Sequence, residues 1–224
     1  MLVTIPNVLN EEDIGVITDL MATANFREGT SSAGDEAKRV KNNHEMFISD
    51  AEVQRLNNLV MGKLIKNQTY IDAAFAAKIA APYYAKYSKG MSYGNHVDDP
   101  VMGPPNQRYR SDISITIFLN NPEAYEGGEL VINTPFGEQE VKLNAGDAVL
   151  YPSSSTHRVA EVTKGERLVA VTWLQSTIRD PAKREILYNL SLARETLIKT
   201  SAGSQELEQL SNGYVNLLRM WTDI

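Results

Sequence analysis

The spacing of apolar residues changes period twice along the chain. Ile14, Ile17, Leu20, Met21 and Ala24 recur at the interval of one helix face. Asn10 stands ahead of them as an N-cap, followed by Glu11, Glu12 and Asp13 at the positive end of the helix dipole. Val53, Leu56, Val60 and Leu64 mark a second helix, and Tyr70–Ala77 a shorter third. Between the first two, Gly29 to Asn43 is rich in Ser, Gly and charge and reads as a loop.

From about Ile79 to Leu174 the period shortens to that of strands. Eight β-prone runs follow one another: Ala81–Ser88, Tyr93–Asp98, Asp112–Leu119, Glu129–Asn133, Glu138–Lys142, Ala148–Tyr151, His157–Val162 and Arg167–Leu174. Short strands at this spacing predict a sandwich or a double-sheet jelly roll. Thr134-Pro135-Phe136-Gly137 and Asn144-Ala145-Gly146-Asp147 have turn composition, and Gly127-Gly128 suits a turn with positive φ. In Asp112–Leu119 the side chains alternate between Ile113, Ile115, Ile117 and Leu119 on one face and Asp112, Ser114, Thr116 and Phe118 on the other. The first face is expected to pack on helices, the second to line an internal pocket.

The tail returns to helix. Asp180-Pro181 is an N-cap with proline at the first helical position, and Ile186, Leu190, Ala193 and Leu197 form the stripe behind it. Ser204 caps a last helix with Leu207, Leu210, Tyr214, Leu217, Leu218 and Trp221 on its apolar face. That face suits packing first, and a homodimer contact through the C-terminal helices second. The expected division is therefore helices at 1–78, a β core at 79–178, and helices at 179–224.

Composition narrows the class. With 42% hydrophobic and 22% charged residues the chain is globular rather than disordered. A net charge of -6 disfavours binding to nucleic-acid phosphates. The absence of cysteine removes disulfides, thiolate metal sites and cysteine nucleophiles, and fits a cytoplasmic protein. No signal-like or membrane-spanning run is present, so no membrane partner is expected.

The candidate chemistry rests on few residues. His96 and Asp98, two apart at a strand end, point to the same side and can share a metal. His157 supplies a third ligand after a long β segment. Two histidines and one carboxylate form the facial triad of non-haem Fe(II) oxygenases, which leaves coordination positions open. Taken singly, His-x-Asp is a weak signal, and either histidine reads as a turn or strand-end residue. Arg167, ten residues after His157, changes the balance. An arginine fork suits the distal carboxylate of a dicarboxylate cosubstrate. Arg39 and Lys41 in the long loop are candidates to meet an acidic substrate. His44 is left out of the ligand set.

His96-x-Asp98, His157 and Arg167 resemble the iron and 2-oxoglutarate signature of the prolyl-hydroxylase-like dioxygenases. Lys41-Asn42-Asn43, Tyr125-Glu126-Gly127-Gly128-Glu129-Leu130, Ala145-Gly146-Asp147, Leu150-Tyr151-Pro152-Ser153-Ser154-Ser155-Thr156-His157 and Gln175-Ser176-Thr177-Ile178-Arg179-Asp180 closely resemble the bacterial PKHD-type hydroxylases. The likeness extends to Leu218-Arg219-Met220-Trp221. It implies a mainly β protein with flanking helices around a double-stranded β-helix (jelly-roll) core. It also implies Fe(II), the cosubstrates 2-oxoglutarate and O2, and L-ascorbate (vitamin C). His96, Asp98 and His157 become the metal and catalytic residues, Arg167 the 2-oxoglutarate anchor, and Tyr87 a further cosubstrate contact. Ser114 or Thr116 is placed beside the distal carboxylate, while Phe118 stands where a relative uses tyrosine. His44 and Glu45 depart from the glutamines more usual after Lys41-Asn42-Asn43, which bears on substrate.

The expected reaction is a hydroxylation of the EC 1.14.11 type that releases succinate and CO2. Its prime substrate is a small molecule or peptide: a peptidyl proline, a free amino acid or a siderophore-like compound. The alternatives are a cupin-like metal hydrolase or isomerase, and a non-catalytic jelly-roll sensor of iron or 2-oxoglutarate.

Overall fold

The computed structural model describes residues 1–32, 34 and 36–223. Its centre is a pair of facing antiparallel sheets. The larger is built on β16 (Val162–Ser176), β10 (Ile113–Phe118), β14 (Ala148–Pro152) and β6 (Tyr83–Ser88). β1 (Val3–Ile5) extends it past β14, while β4 (His44–Phe47) and β2 (Asn25–Glu28) extend it past β6. β5 (Ala76–Ile79) and β11 (Tyr125–Gly127) pair with β16, bringing the sheet to nine strands. The smaller sheet has the order β13 (Gly137–Val141), β12 (Leu130–Thr134), β15 (His157–Val159), β7 (Ser92–His96) and β3 (Lys41–Asn42). β8 (Val101–Met102) and β9 (Tyr109–Arg110) pair separately.

The alternation in the central strand sets up the layers. All six residues of β10 are buried, because it lies between β14 and β16 with both faces covered. Ile113, Ile115 and Ile117 face a core shared with α1 (Glu11–Thr23) and α2 (Asp50–Leu64), through Ile17, Leu56, Val60 and Leu64. Each such fully buried aliphatic side chain contributes about 1.5–3 kcal/mol over its exposed state. Phe118 faces a second core between the sheets, with Tyr87, Ile132, Tyr151, Val159 and Val169.

Local signals explain the helix boundaries. Asn10 and Asp13 form a reciprocal capping box at α1, with hydrogen bonds of 2.8 and 3.0 Å. Asp180 caps α4 (Pro181–Thr200) and Ser204 caps α5 (Gln205–Trp221). The short third helix is α3 (Gln68–Ala74), and the chain becomes β5 two residues later.

Several expectations need revision. The N-terminal segment supplies strands β1, β2 and β4 to the larger sheet as well as helices. The loop from Gly29 to Asn43 holds two 3-10 turns and β3; its Ala33 and Asp35 lie outside the described residues. On α4 the buried residues are Arg184, Leu187 and Ser191, whereas Ile186 is 46% exposed. The helix is rotated from the expected stripe because Arg184 is tied down by hydrogen bonds to the carbonyls of Ile178 (2.7 Å) and Arg179 (2.9 Å). The α5 face matches its pattern, with Tyr214 buried against Leu187 and Ile178.

The largest revision concerns the segment after His157. Glu161 opposite Arg167 across a five-residue hairpin loop is the natural pairing to expect, but β15 and β16 do not pair. β15 pairs with β12 and β7, while β16 pairs with β6, β10, β11 and β5. The chain passes from one sheet to the other at Ala160 and Glu161. Thr163 to Glu166, the turn that such a hairpin would need, is strand. Gly165 misleads the eye: its φ of +73° and a virtual Cβ only 2.2 Å from the Ala124 carbonyl show a close strand approach, not a turn.

Candidate active site

His96 ends β7 and His157 opens β15, and the two are directly opposed in the antiparallel ladder. Opposed residues share a face, so both imidazoles project into the space between the sheets. Their ring centroids are 4.2 Å apart. Asp98 follows two residues after His96, and its Oδ1 lies 3.8 Å from Nε2 of each histidine. One ligand atom from each of the three lies within 4.8 Å of the others.

The surroundings prepare this cluster for a cation. Nδ1 of His96 bonds the Gly94 carbonyl and Nδ1 of His157 the Ser155 carbonyl, both at 2.9 Å. A carbonyl only accepts, so each Nδ1 carries the proton and each Nε2 presents its lone pair to the cluster. Burial pushes the His96 pKa down to about 4, with the neighbouring His157 acting in the same direction. Its imidazole is therefore neutral at ordinary pH. Tyr93 stacks on His96 at 3.7 Å, and Tyr151 meets His157 edge-on at 5.0 Å. Ser114 donates to Asp98 Oδ2 and pairs with Ser153 Oγ at 2.8 Å. Donor set, tautomers and spacing fit a divalent metal held by two histidines and a carboxylate.

Arg167 lies on β16 opposite Tyr87 of β6 and is only 1% exposed. Its guanidinium sits 5.1 Å from the Tyr87 ring and 5.6 Å from the Phe118 ring. Among the described residues it forms no ion pair, and its buried Nε has no hydrogen-bond partner. The adjacent Tyr125 hydroxyl lies beside the guanidinium, whose charge opposes the upward push of burial on that phenol. Burial pushes the Tyr87 phenol up to about 12, against the pull of the Arg167 charge. Gly128 makes room for this arrangement: at φ +68° a Cβ would stand 3.0 Å from Val162 Cγ2 and 3.2 Å from Arg167 Cδ. A buried guanidinium without a carboxylate fits a site for a carboxylate ligand.

One cavity of about 1180 Å³ joins both ends; His96, Asp98, His157, Arg167, Thr116 and Tyr151 all line it. Val171 and Trp173 continue the Arg167 face of β16 along its wall. Tyr83, edge-on to Trp173 at 5.9 Å, and Tyr109 line it further on.

Most of the expected site residues meet here, with two shifts. Ser114 serves Asp98 rather than a distal carboxylate, because the even face of β10 begins at the metal end. Thr116, one step further along that face, stands beside the Tyr151 hydroxyl and lines the cavity. Sequence reasoning missed Tyr151 and Ser153 as neighbours of the cluster. Lys41, a candidate to meet an acidic substrate, lines the cavity, with its side chain 9% exposed and paired with Glu45 at 2.7 Å. The signal was present but muted: positions 41, 43 and 45 alternate with 42 and 44 as in any strand, but in polar residues.

Comparison with known proteins agrees with this geometry. Residues 82–175 match the model of the 2OG-Fe(II) oxygenase superfamily, and residues 181–223 that of the PKHD-type hydroxylase C-terminal domain. A Pseudomonas putida prolyl-4-hydroxylase superposes with a TM-score of 0.53 at 16% identity, over 78% of this chain and 92% of its own. A Trichoplax adhaerens prolyl hydroxylase, solved with a hypoxia inducible factor peptide fragment, does so at 0.53 and 14%, over 85% and 86%. These two likenesses show the shared jelly-roll fold. Together, fold and site define a 2OG-Fe(II) oxygenase. A PKHD-type hydroxylase of Thioalkalivibrio sulfidiphilus is 49% identical over 224 residues, and one of Thermosynechococcus vestitus 42% over 225, each match spanning 100% of both chains. The chain belongs to the PKHD-type hydroxylase family.

Proposed function

We propose that this chain hydroxylates a small-molecule or peptide substrate in a reaction of the EC 1.14.11 type, converting 2-oxoglutarate and O2 to succinate and CO2. The observation that carries the reading is the meeting, in one cavity, of the His96–Asp98–His157 cluster and the buried, carboxylate-free Arg167. His96, Asp98 and His157 would hold Fe(II), and Arg167 the distal carboxylate of 2-oxoglutarate, with Tyr87 and Thr116 beside it. Bound iron and 2-oxoglutarate supply the O2 activation and oxidising power, and ascorbate keeps the iron in its ferrous state.

The residues of the chain bind, orient and exclude water. The backbone carbonyls of Gly94 and Ser155 fix the imidazole tautomers, and Ser114 fixes the Asp98 carboxylate. The aromatic walls formed by Tyr87, Phe118 and Tyr151 keep water from the Arg167 end, where a charge-assisted pair is strongest. The prime substrate then enters along the Tyr83, Tyr109 and Trp173 side. A metal hydrolase has no use for a buried dicarboxylate anchor, which favours the oxygenase reading over that rival. A peptidyl proline is one candidate, in keeping with the peptide bound to the Trichoplax protein; a free amino acid and a siderophore-like compound are the others. The test is a substrate screen with iron, 2-oxoglutarate and ascorbate, scored for coupled succinate release and a mass gain of one oxygen. Succinate release that no compound stimulates, or none at all with iron bound, overturns the hydroxylase reading.

A further inference from the structure

The segment entering the larger sheet carries a polar cluster that neither metal nor cosubstrate accounts for. Lys41 lies in the smaller sheet opposite Tyr93, while Glu45 lies in the larger sheet opposite Ala85. Asn43 bridges the sheets between them, and all three line the cavity. Lys41 Nζ donates to Glu45 Oε1 at 2.7 Å and to Ser32 Oγ at 2.9 Å, and Ser32 also bonds Oε1. The Glu45 side chain is 4% exposed. Its other oxygen, Oε2, is buried and has no partner, and the same holds for Oδ1 of Asn43. Buried acceptors are normally paired, so the free Glu45 oxygen, on a residue that lines the cavity, points to a donor that arrives with a ligand. The Asn43 oxygen is turned against Gly29 and its side chain meets Tyr87, whereas a carboxylate accepts whichever way it is turned.

We infer that Glu45 is a specificity-determining residue, whose free carboxylate oxygen accepts a hydrogen bond from a primary amide or ammonium nitrogen of the prime substrate. A nitrogen bearing two or more hydrogens can meet this oxygen and still donate to its other neighbours, which a hydroxyl with one hydrogen cannot. The ion pair to Lys41 fixes the carboxylate, so the pole is formed before substrate arrives. The inference rests on the oxygenase reading only in taking the cavity as the substrate site.

The experiment measures binding by ligand-observed NMR, using anaerobic enzyme loaded with metal and 2-oxoglutarate. Acetamide and methylammonium are the N–H probes; N,N-dimethylacetamide and tetramethylammonium are their methylated counterparts. At least one N–H probe should bind about tenfold tighter than its counterpart, and which one does separates amide from ammonium. In Glu45→Gln, the side-chain oxygen stays on Lys41 and the NH2 group turns to the cavity, so the preference should vanish. Equal binding of the paired probes to the unaltered enzyme, or no binding of either N–H probe, overturns the inference and leaves the acceptors to bound water. A preference that survives in Glu45→Gln overturns it too. Should Glu45→Gln fail to fold, the ratio in the unaltered enzyme still decides. Failure of the oxygenase reading shows separately, as absent succinate formation with the probe ratio intact.

Discussion

The two sheets bring unlike chemistry to one cavity. The five-stranded sheet supplies His96 and His157 from neighbouring strands, each tautomer held by a carbonyl two residues away in sequence. The nine-stranded sheet supplies Arg167, boxed by Tyr87 and Phe118 with the Tyr125 hydroxyl beside it. One end is thus built by local hydrogen bonding, the other by desolvation. If the two ends hold metal and cosubstrate as proposed, loss of the Arg167 end should weaken cosubstrate binding without loss of the metal.

The hardest break is at the metal end. His157→Ala should abolish stoichiometric Fe(II) binding and with it succinate release, as read by metal analysis and turnover. Retained iron would contradict the ligand assignment. Next comes the opposite end: Arg167→Gln should raise the KM for 2-oxoglutarate by about 100-fold, while Fe(II) content stays at the unaltered level. A fall in both would mean that the ends are not separable.

Ser114 sharpens the comparison because it crosses it. It sits on the nine-stranded sheet yet bonds Asp98. Ser114→Ala should weaken Fe(II) binding by roughly 10- to 100-fold, the usual scale for a group that orients a ligand, and leave 2-oxoglutarate affinity nearly as it was. The smallest effect is on the metal-free protein. The folded His96 takes up a proton only near pH 4, whereas an unfolded histidine does so near 6.5. The unfolded chain therefore binds more protons in that window, and stability falls as pH drops through it. Urea midpoints of the metal-free protein should decline from pH 6.5 towards 4, and His96→Gln should flatten the slope.

Much of this was legible in the sequence where one face of a strand is apolar. Ile113, Ile115 and Ile117 announced β10 and its inward and outward faces, and the capping residues Asn10, Asp180 and Ser204 fixed three helix starts. What was hidden is pairing. Periodicity tells which way a side chain points but not which strand lies alongside, so the passage of Ala160 and Glu161 between sheets was mistaken for a hairpin. Arg167 points inward as expected, but its neighbour is Tyr87. Polar alternation was the other blind spot: Lys41, Asn43 and Glu45 look like loop residues because the surface they line is itself polar.

The short passage at Ala160 and Glu161 has a consequence for how the gene can change length. It is clamped from outside, since the Glu161 carbonyl accepts from Gly128 N at 3.3 Å and would stand 2.0 Å from any Cβ at Gly127. From Val162 to Arg167 every residue is in β16, and all but Thr163, which stands at a bulge opposite Glu126 and Gly127, are paired. One codon inserted or deleted in this stretch turns the guanidinium out of the cavity and the next side chain in. The ten-residue interval from His157 to Arg167 is therefore intolerant of drift, whereas a change of length between β8 and β9, which pair with neither large sheet, would leave both registers as they are.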